Sequence, residues 1–213
     1  DGLAIEGVIL GRETIDAMAA ADGFGASGAR DGEFGAERSA TREAGKLFGI
    51  HAGERDSDDV NPALDLDPDF LVHMVHLEAL HYERLDDEET PVVLCPRSNL
   101  VTDAGVAPAR ELLDRTTVAL GTDNVFLNSP SMFREMEFAA KLYDVSAREV
   151  LQMATVAGAE IAGLDAGVIE PGREARLLLL DGDSDNLAGA EDVVRAVVRR
   201  AGVDDVTDVL LAN

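Results

Sequence analysis

Short apolar runs that end on a polar residue and give way to an amphipathic stretch recur along this chain, and that alternation constrains its fold most. Val8-Ile9-Leu10 precedes a helical segment at 13–21. A weaker strand at 23–27 precedes a second helical segment at 37–44. Leu47-Phe48-Gly49-Ile50 ends at His51, and Phe70-Leu71-Val72 at His73. Val92-Val93-Leu94 ends at Cys95-Pro96, and Val118-Ala119-Leu120 at Gly121-Thr122-Asp123. Strands alternating with helices pair in parallel through crossovers, which predicts an α/β fold. The runs are apolar throughout, as strands buried on both faces require. A closed eight-stranded barrel takes about 250 residues, so six units fit an incomplete barrel or a doubly wound open sheet.

Beyond Asp123 the pattern turns helical. Ser129-Pro130 can open a helix running through Met132, Met136, Ala139 and Leu142. Ser146 with Glu149 three residues later is a capping-box signature; it opens a helix carrying Val150, Leu151, Ala154 and Ala157 that Gly163 ends. The tail reads as strands at 175–180, 193–200 and 206–211 outside the barrel. The expected organisation is therefore a partial barrel with its C-terminal helices over 1–165 and β-strands of a small sandwich over 166–213.

Composition narrows the function classes. Hydrophobic residues make up 46% of the 213, enough for a sizeable core and unlike a disordered tail. No apolar run approaches the roughly 18 residues of a membrane span. The chain opens Asp1-Gly2-Leu3, with no basic leader and no initiator Met. Cys95 is the single cysteine, which excludes an internal disulfide and makes a reduced cytoplasmic protein the default reading. The 42 acidic residues against 18 basic give a formal charge of −24. Such a chain repels nucleic acid and anionic membranes. The acids are scattered rather than blocked, which points to a folded surface adapted to high salt.

The polar residues at the strand ends carry the chemistry. His51 and Glu54 follow one strand, His73 and His76 the next, Cys95, Ser98 and Asn99 the third, and Asp123 the fourth. In a parallel barrel these ends converge on one face. Imidazole and carboxylate ligate zinc or iron, and a bound metal brings the pKa of its water toward 7. A nearby carboxylate can then shuttle a proton to a leaving amine. Other polar residues have blander readings. His76 reads as structural, His81 as solvated in an acidic loop, and Cys95 as a small buried residue. Arg97 reads as half of an ion pair rather than a binder of a substrate carboxylate. Gly23-x-Gly25-x-x-Gly28 invites a nucleotide-binding loop, but it lacks an acidic residue at the end of a second strand.

Together these motifs resemble the amidohydrolase superfamily, in its deaminase and chlorohydrolase branch. His51-Ala52-Gly53-Glu54 resembles the His-x-x-Glu after that family's fifth strand. Residues 71–77 resemble its strand-six motif, Cys95-Pro96-Arg97-Ser98-Asn99-Leu100 its strand-seven motif, and Leu120-Gly121-Thr122-Asp123 its strand-eight Gly-Thr-Asp. Ala154-Thr155, Gly158-Ala159 and the turn at 167–172 resemble the segment leading into its small β-sandwich. The implied fold is an incomplete TIM-type (β/α)8 barrel, about strands three to eight, followed by part of that sandwich.

The resemblance also implies roles. His51 would ligate a divalent metal, zinc or else iron. Asp123 would ligate it and take the proton from its water. Glu54 would relay that proton to the substrate nitrogen. His73 would polarise the substrate or hold the water, and in some relatives contacts the metal. Ser98 and Asn99 would shape the strand-seven loop, and Asn124 and Asn128 would face substrate. The family's further ligands come from a His-x-His on strand one, and no His precedes His51 here. The expectation is thus a fragment that lacks strands one and two and the start of the sandwich, with exposed sheet edges that favour self-association. The implied activity is hydrolysis of non-peptide carbon–nitrogen bonds in a small molecule, a nucleoside, pterin or other nitrogen heterocycle; imidazolone or formimino hydrolysis is of the same class. The alternative is a partial barrel serving as a non-catalytic scaffold or binding subunit.

Overall fold

The computed structural model describes residues 7–211. The first six and last two residues, where the expected domain ranges begin and end, lie outside them. The main body is one parallel sheet interleaved with helices: β1 (Leu10–Gly11), α1 (Ile15–Ala19), β2 (Gly23–Ala26), α2 (Gly35–Ala44), β3 (Leu47–Ala52), α3 (Val60–Leu64), β4 (Phe70–His73), α4 (Ala79–Glu88), β5 (Val92–Leu94), α5 (Pro96–Val101), α6 (Ala109–Leu113) and β6 (Val118–Leu120). The helices α7 (Met132–Leu142), α8 (Ala147–Met153) and α9 (Val156–Ile161) follow. Then come β7 (Arg176–Leu180), α10 (Val193–Arg200) and β8 (Val206–Leu211).

The six strands stand in the order β1-β2-β3-β4-β5-β6, every neighbour parallel. A doubly wound sheet reverses its strand order at a switch point. This one never does, which decides for the arc of a barrel. Gly23 and Gly25 lie inside β2 rather than in a strand-to-helix turn. A Cβ on Gly23 would stand 2.3 Å from the Leu47 carbonyl oxygen, so that glycine serves strand packing and not a phosphate. On the helix-facing side, Phe24 and Phe48 stack at 6.1 Å with their rings 8° apart. Ile50, Leu71, Leu94 and Leu112 continue a fully buried core.

Three expectations are corrected. Residues 193–200 form α10, not a strand. Their Val-rich run favours β structure in isolation, but Asp192 caps the first turn by accepting from Arg195 N at 2.9 Å. Arg199 and Arg200 complete the last turn. Ala196 and Val198 are buried, and Arg199 Nη2 donates to the Ala140 carbonyl of α7 at 3.0 Å. The C-terminal segment is thus a helix plus the antiparallel pair β7–β8.

The helix opened by the Ser146–Glu149 capping box also divides into α8 and α9. Thr155 leaves helical geometry (φ −130°, ψ −91°), and its hydroxyl donates back to the Leu151 carbonyl at 2.7 Å. His81, expected to be solvated, is 2% exposed. Its Nδ1 accepts the Glu78 backbone N–H at 2.9 Å and so caps α4. No described helix is long and apolar enough to cross a membrane.

Candidate active site

The polar strand ends meet in an open pocket of about 560 Å³. His51, Glu54, His73 and Asp123 line it, together with Arg12, Asn124, Val125 and Leu127.

β3 and β4 stay paired beyond their last residues. Met74 N donates to Ala52 O at 2.9 Å, and His76 N to Gly53 O at 2.8 Å. Gly53 adopts φ 63°, and a Cβ there would stand 3.0 Å from the His76 carbonyl oxygen. Glycine is the residue that permits this turn. It sets Glu54 over the pocket, three residues after His51.

His73 pairs with Ala52 in the ladder, whereas His51 pairs with Val72. On strict alternation the two histidines would face opposite sides. His73 escapes that alternation because its backbone is left-handed, φ 79°. The two imidazoles meet edge-on with centroids 4.7 Å apart. Asp123 is left-handed as well, φ 54°. Non-glycine residues held in that region carry strain of order 1–3 kcal/mol, which the surroundings must hold in place.

Among the described residues, His51, Glu54 and His73 bring ligand atoms within 4.8 Å of one another. Glu54 Oε2 lies 3.6 Å from His73 Nε2. His73 Nδ1 lies 2.8 Å from Asn99 Oδ1, an acceptor that matches an imidazole carrying its proton on Nδ1. Nε2 is buried with no hydrogen-bond partner. Burial, with a smaller contribution from His73, lowers the His51 pKa to about 4. At neutral pH His51 therefore presents an uncharged nitrogen, the form a metal requires.

Asp123 lines the same pocket and accepts a hydrogen bond at Oδ2 from Ser98 Oγ. Ser98 and Asn99 are fully buried behind Asp123 and His73 and do not line the pocket. Asn128 does not line it either; its N–H closes a turn on the Asn124 carbonyl at 3.2 Å. His76 is half-buried beyond the strand end. Cys95 is buried, and burial, reinforced by Asp123, raises its pKa well above the ordinary thiol value. Arg97 is in an ion pair, as its acid-rich context suggested. Its Nε lies 2.6 Å from Glu135 Oε1, and its Nη2 donates to Ser129 O at 2.7 Å.

Sequence reasoning missed Arg12. It follows β1 directly, a strand-end position like those of the other site residues, and that position was the available signal. No carboxylate among the described residues is in ion-pair contact with it. Its charge helps lower the His51 pKa.

The amidohydrolase family model matches residues 28–208. The chain belongs to the amidohydrolase family. An uncharacterised protein of Methanocaldococcus jannaschii is 32% identical over 94% of this chain and 60% of its own length. A 5-methylthioadenosine/S-adenosylhomocysteine deaminase of Haloarcula marismortui is 34% identical over 68% of this chain and 39% of its own length. The chain thus spans about half the length of the curated relatives it matches. Among solved structures, an adenosine deaminase from Xanthomonas campestris with bound zinc superposes with a TM-score of 0.78 at 27% identity, over 89% of this chain and 50% of that one. As an amidohydrolase, the chain's single parallel sheet is an incomplete TIM-type barrel and β7–β8 its small additional sheet.

Proposed function

We propose that the protein is a metal-dependent hydrolase of non-peptide carbon–nitrogen bonds, and specifically a deaminase of a nucleoside-like nitrogen heterocycle. The observation that carries this reading is the buried, unpartnered Nε2 of His73 beside His51 and Glu54. A buried polar atom without a partner is costly. A metal or a substrate atom offsets that cost.

The donor set fits a divalent ion such as zinc. His51 is neutral, His73 offers a free lone pair, and Asp123 offers a carboxylate oxygen. We assign the metal to these three residues. When bound, such an ion supplies a water acidified to near neutrality. Asp123, held at Oδ2 by the Ser98 hydroxyl, would accept the proton of that water on its carboxylate. Glu54 carries a proton to the substrate nitrogen that departs. Asn124 and Arg12 face the rest of the substrate, and Arg12 suits an anionic substituent.

Deaminase names among the relatives support the class of substrate. Ammonia release from a panel of purine nucleosides, with and without an anionic 5′ substituent, tests it on the zinc-loaded full-length protein. Turnover of at least one nucleoside, abolished by Glu54→Gln, is expected. Zinc binding without turnover of any would favour the non-catalytic binding subunit.

A further inference from the structure

His73 and Asp123 share an unusual circumstance. They sit at the ends of β4 and β6, on either side of β5, and both are held in the left-handed region. Each is gripped by a side chain of α5, the helix that leaves β5 directly. Ser98 Oγ donates to Asp123 Oδ2, and Asn99 Oδ1 lies 2.8 Å from His73 Nδ1. The two gripping residues are consecutive. Successive helix residues point about 100° apart, so adjacent positions on one short turn reach the neighbouring strands on both sides.

The turn itself is fixed. Arg97, the preceding residue, is buried, and its Nε meets Glu135 of α7 at 2.6 Å. Its backbone N–H donates to Glu135 Oε2 at 3.3 Å, and its Nη2 to Ser129 O at 2.7 Å. Residues 97–99 thus tie α7, β6 and β4 to one another. Ser98 and Asn99 are both 0% exposed, which removes direct contact with substrate.

We propose that Ser98 and Asn99 are positioning residues, not substrate contacts: Ser98 holds Asp123, and Asn99 fixes His73 as the Nδ1–H tautomer so that the Nε2 lone pair faces the pocket. The inference rests on the reading of His73 and Asp123 as metal-site residues, but its central test is independent of activity. A histidine that ligates through one nitrogen is oriented by the partner of its other nitrogen, and removing such a partner costs 10–100-fold in metal affinity.

The test is nitrogen NMR of the metal-free, histidine-labelled protein, with the His73 signals assigned against His73→Gln. Wild type should show a protonated Nδ1 and a bare Nε2. Asn99→Leu should lose that tautomer and bind zinc about 10–100-fold more weakly, and Asn99→Asp, which keeps the acceptor, should restore both. Ser98→Ala should weaken zinc binding, and Ser98→Thr, which keeps the hydroxyl, should recover it. A wild-type His73 protonated at Nε2 overturns the proposal, whether or not any variant folds. So does an unchanged tautomer in Asn99→Leu. The predicted tautomer in a protein that neither binds zinc nor releases ammonia would leave the positioning role standing and remove the hydrolase reading.

Discussion

The Nε of Arg97 lies 2.6 Å from Oε1 of Glu135, and both side chains are buried beside the candidate active site. Burial raises the Glu135 pKa, and Arg97 opposes that rise. Removing one partner strands the other charge out of water, which costs about 3–5 kcal/mol. Glu135→Ala is expected to lose stability on that scale in urea unfolding. The double variant Arg97→Met with Glu135→Leu should lose distinctly less. Equal losses would show that packing, not the pair, accounts for the effect.

Cys95 should be inert in the native protein. It is 2% exposed, and burial together with the nearby carboxylates of Asp123, Glu135 and Glu54 holds its proton on. The thiolate is the reactive form. A thiol-specific chromogenic reagent at neutral pH should therefore react slowly with the native chain and rapidly after denaturation. Fast, stoichiometric labelling of native protein would contradict the placement.

Glu149 gives stability an acid limit. Hydrogen bonds from the Ser146 backbone, first, and then from Arg110 and the Ser146 side chain lower its pKa from 4.5 to about 2. A carboxyl whose folded pKa lies below its unfolded value stabilises the fold above the unfolded pKa. That contribution fades as pH falls from about 4.5 toward about 2. The side chain is 30% exposed, so solvent screening reduces the effect to about 1 kcal/mol. Glu149→Gln should flatten the stability curve across that window by this amount in denaturant titrations at successive pH values. A variant with the wild-type acid slope would remove the assignment.

The acidic surface predicts a salt requirement. With a formal charge of −24, self-repulsion acts over a Debye length of about 10 Å at 0.1 M salt and about 3 Å at 1 M. Thermal unfolding should move to higher temperature from dilute buffer to molar KCl. An unchanged midpoint would mean that the charge is not a salt adaptation.

The strands and the pocket floor were legible because burial and chemistry write short, local signatures. Leu47-Phe48-Gly49-Ile50 before His51 and Val118-Ala119-Leu120 before Asp123 mark the strands and the residues they deliver. The arc of a barrel was not decided by sequence, since strand order is a long-range property. Nor was α10, where the valines favour a strand and only the Asp192 cap and packing against α7 decide otherwise. His81 was misjudged because its acidic neighbours hide a cap. Ser98 and Asn99 were visible as a motif, but their burial behind Asp123 and His73 is a tertiary property, and the left-handed backbone of those two residues is not encoded in side-chain pattern.

The most direct measurement of the central claim is zinc content and ammonia release, taken together on the full-length protein, for wild type, His51→Ala and Asp123→Asn. Wild type should retain zinc through extensive dialysis and release ammonia from its substrate. His51→Ala should lose the metal, and Asp123→Asn should lose turnover by orders of magnitude. Undiminished ammonia release from Asp123→Asn, or full zinc occupancy and turnover in His51→Ala, would contradict the account.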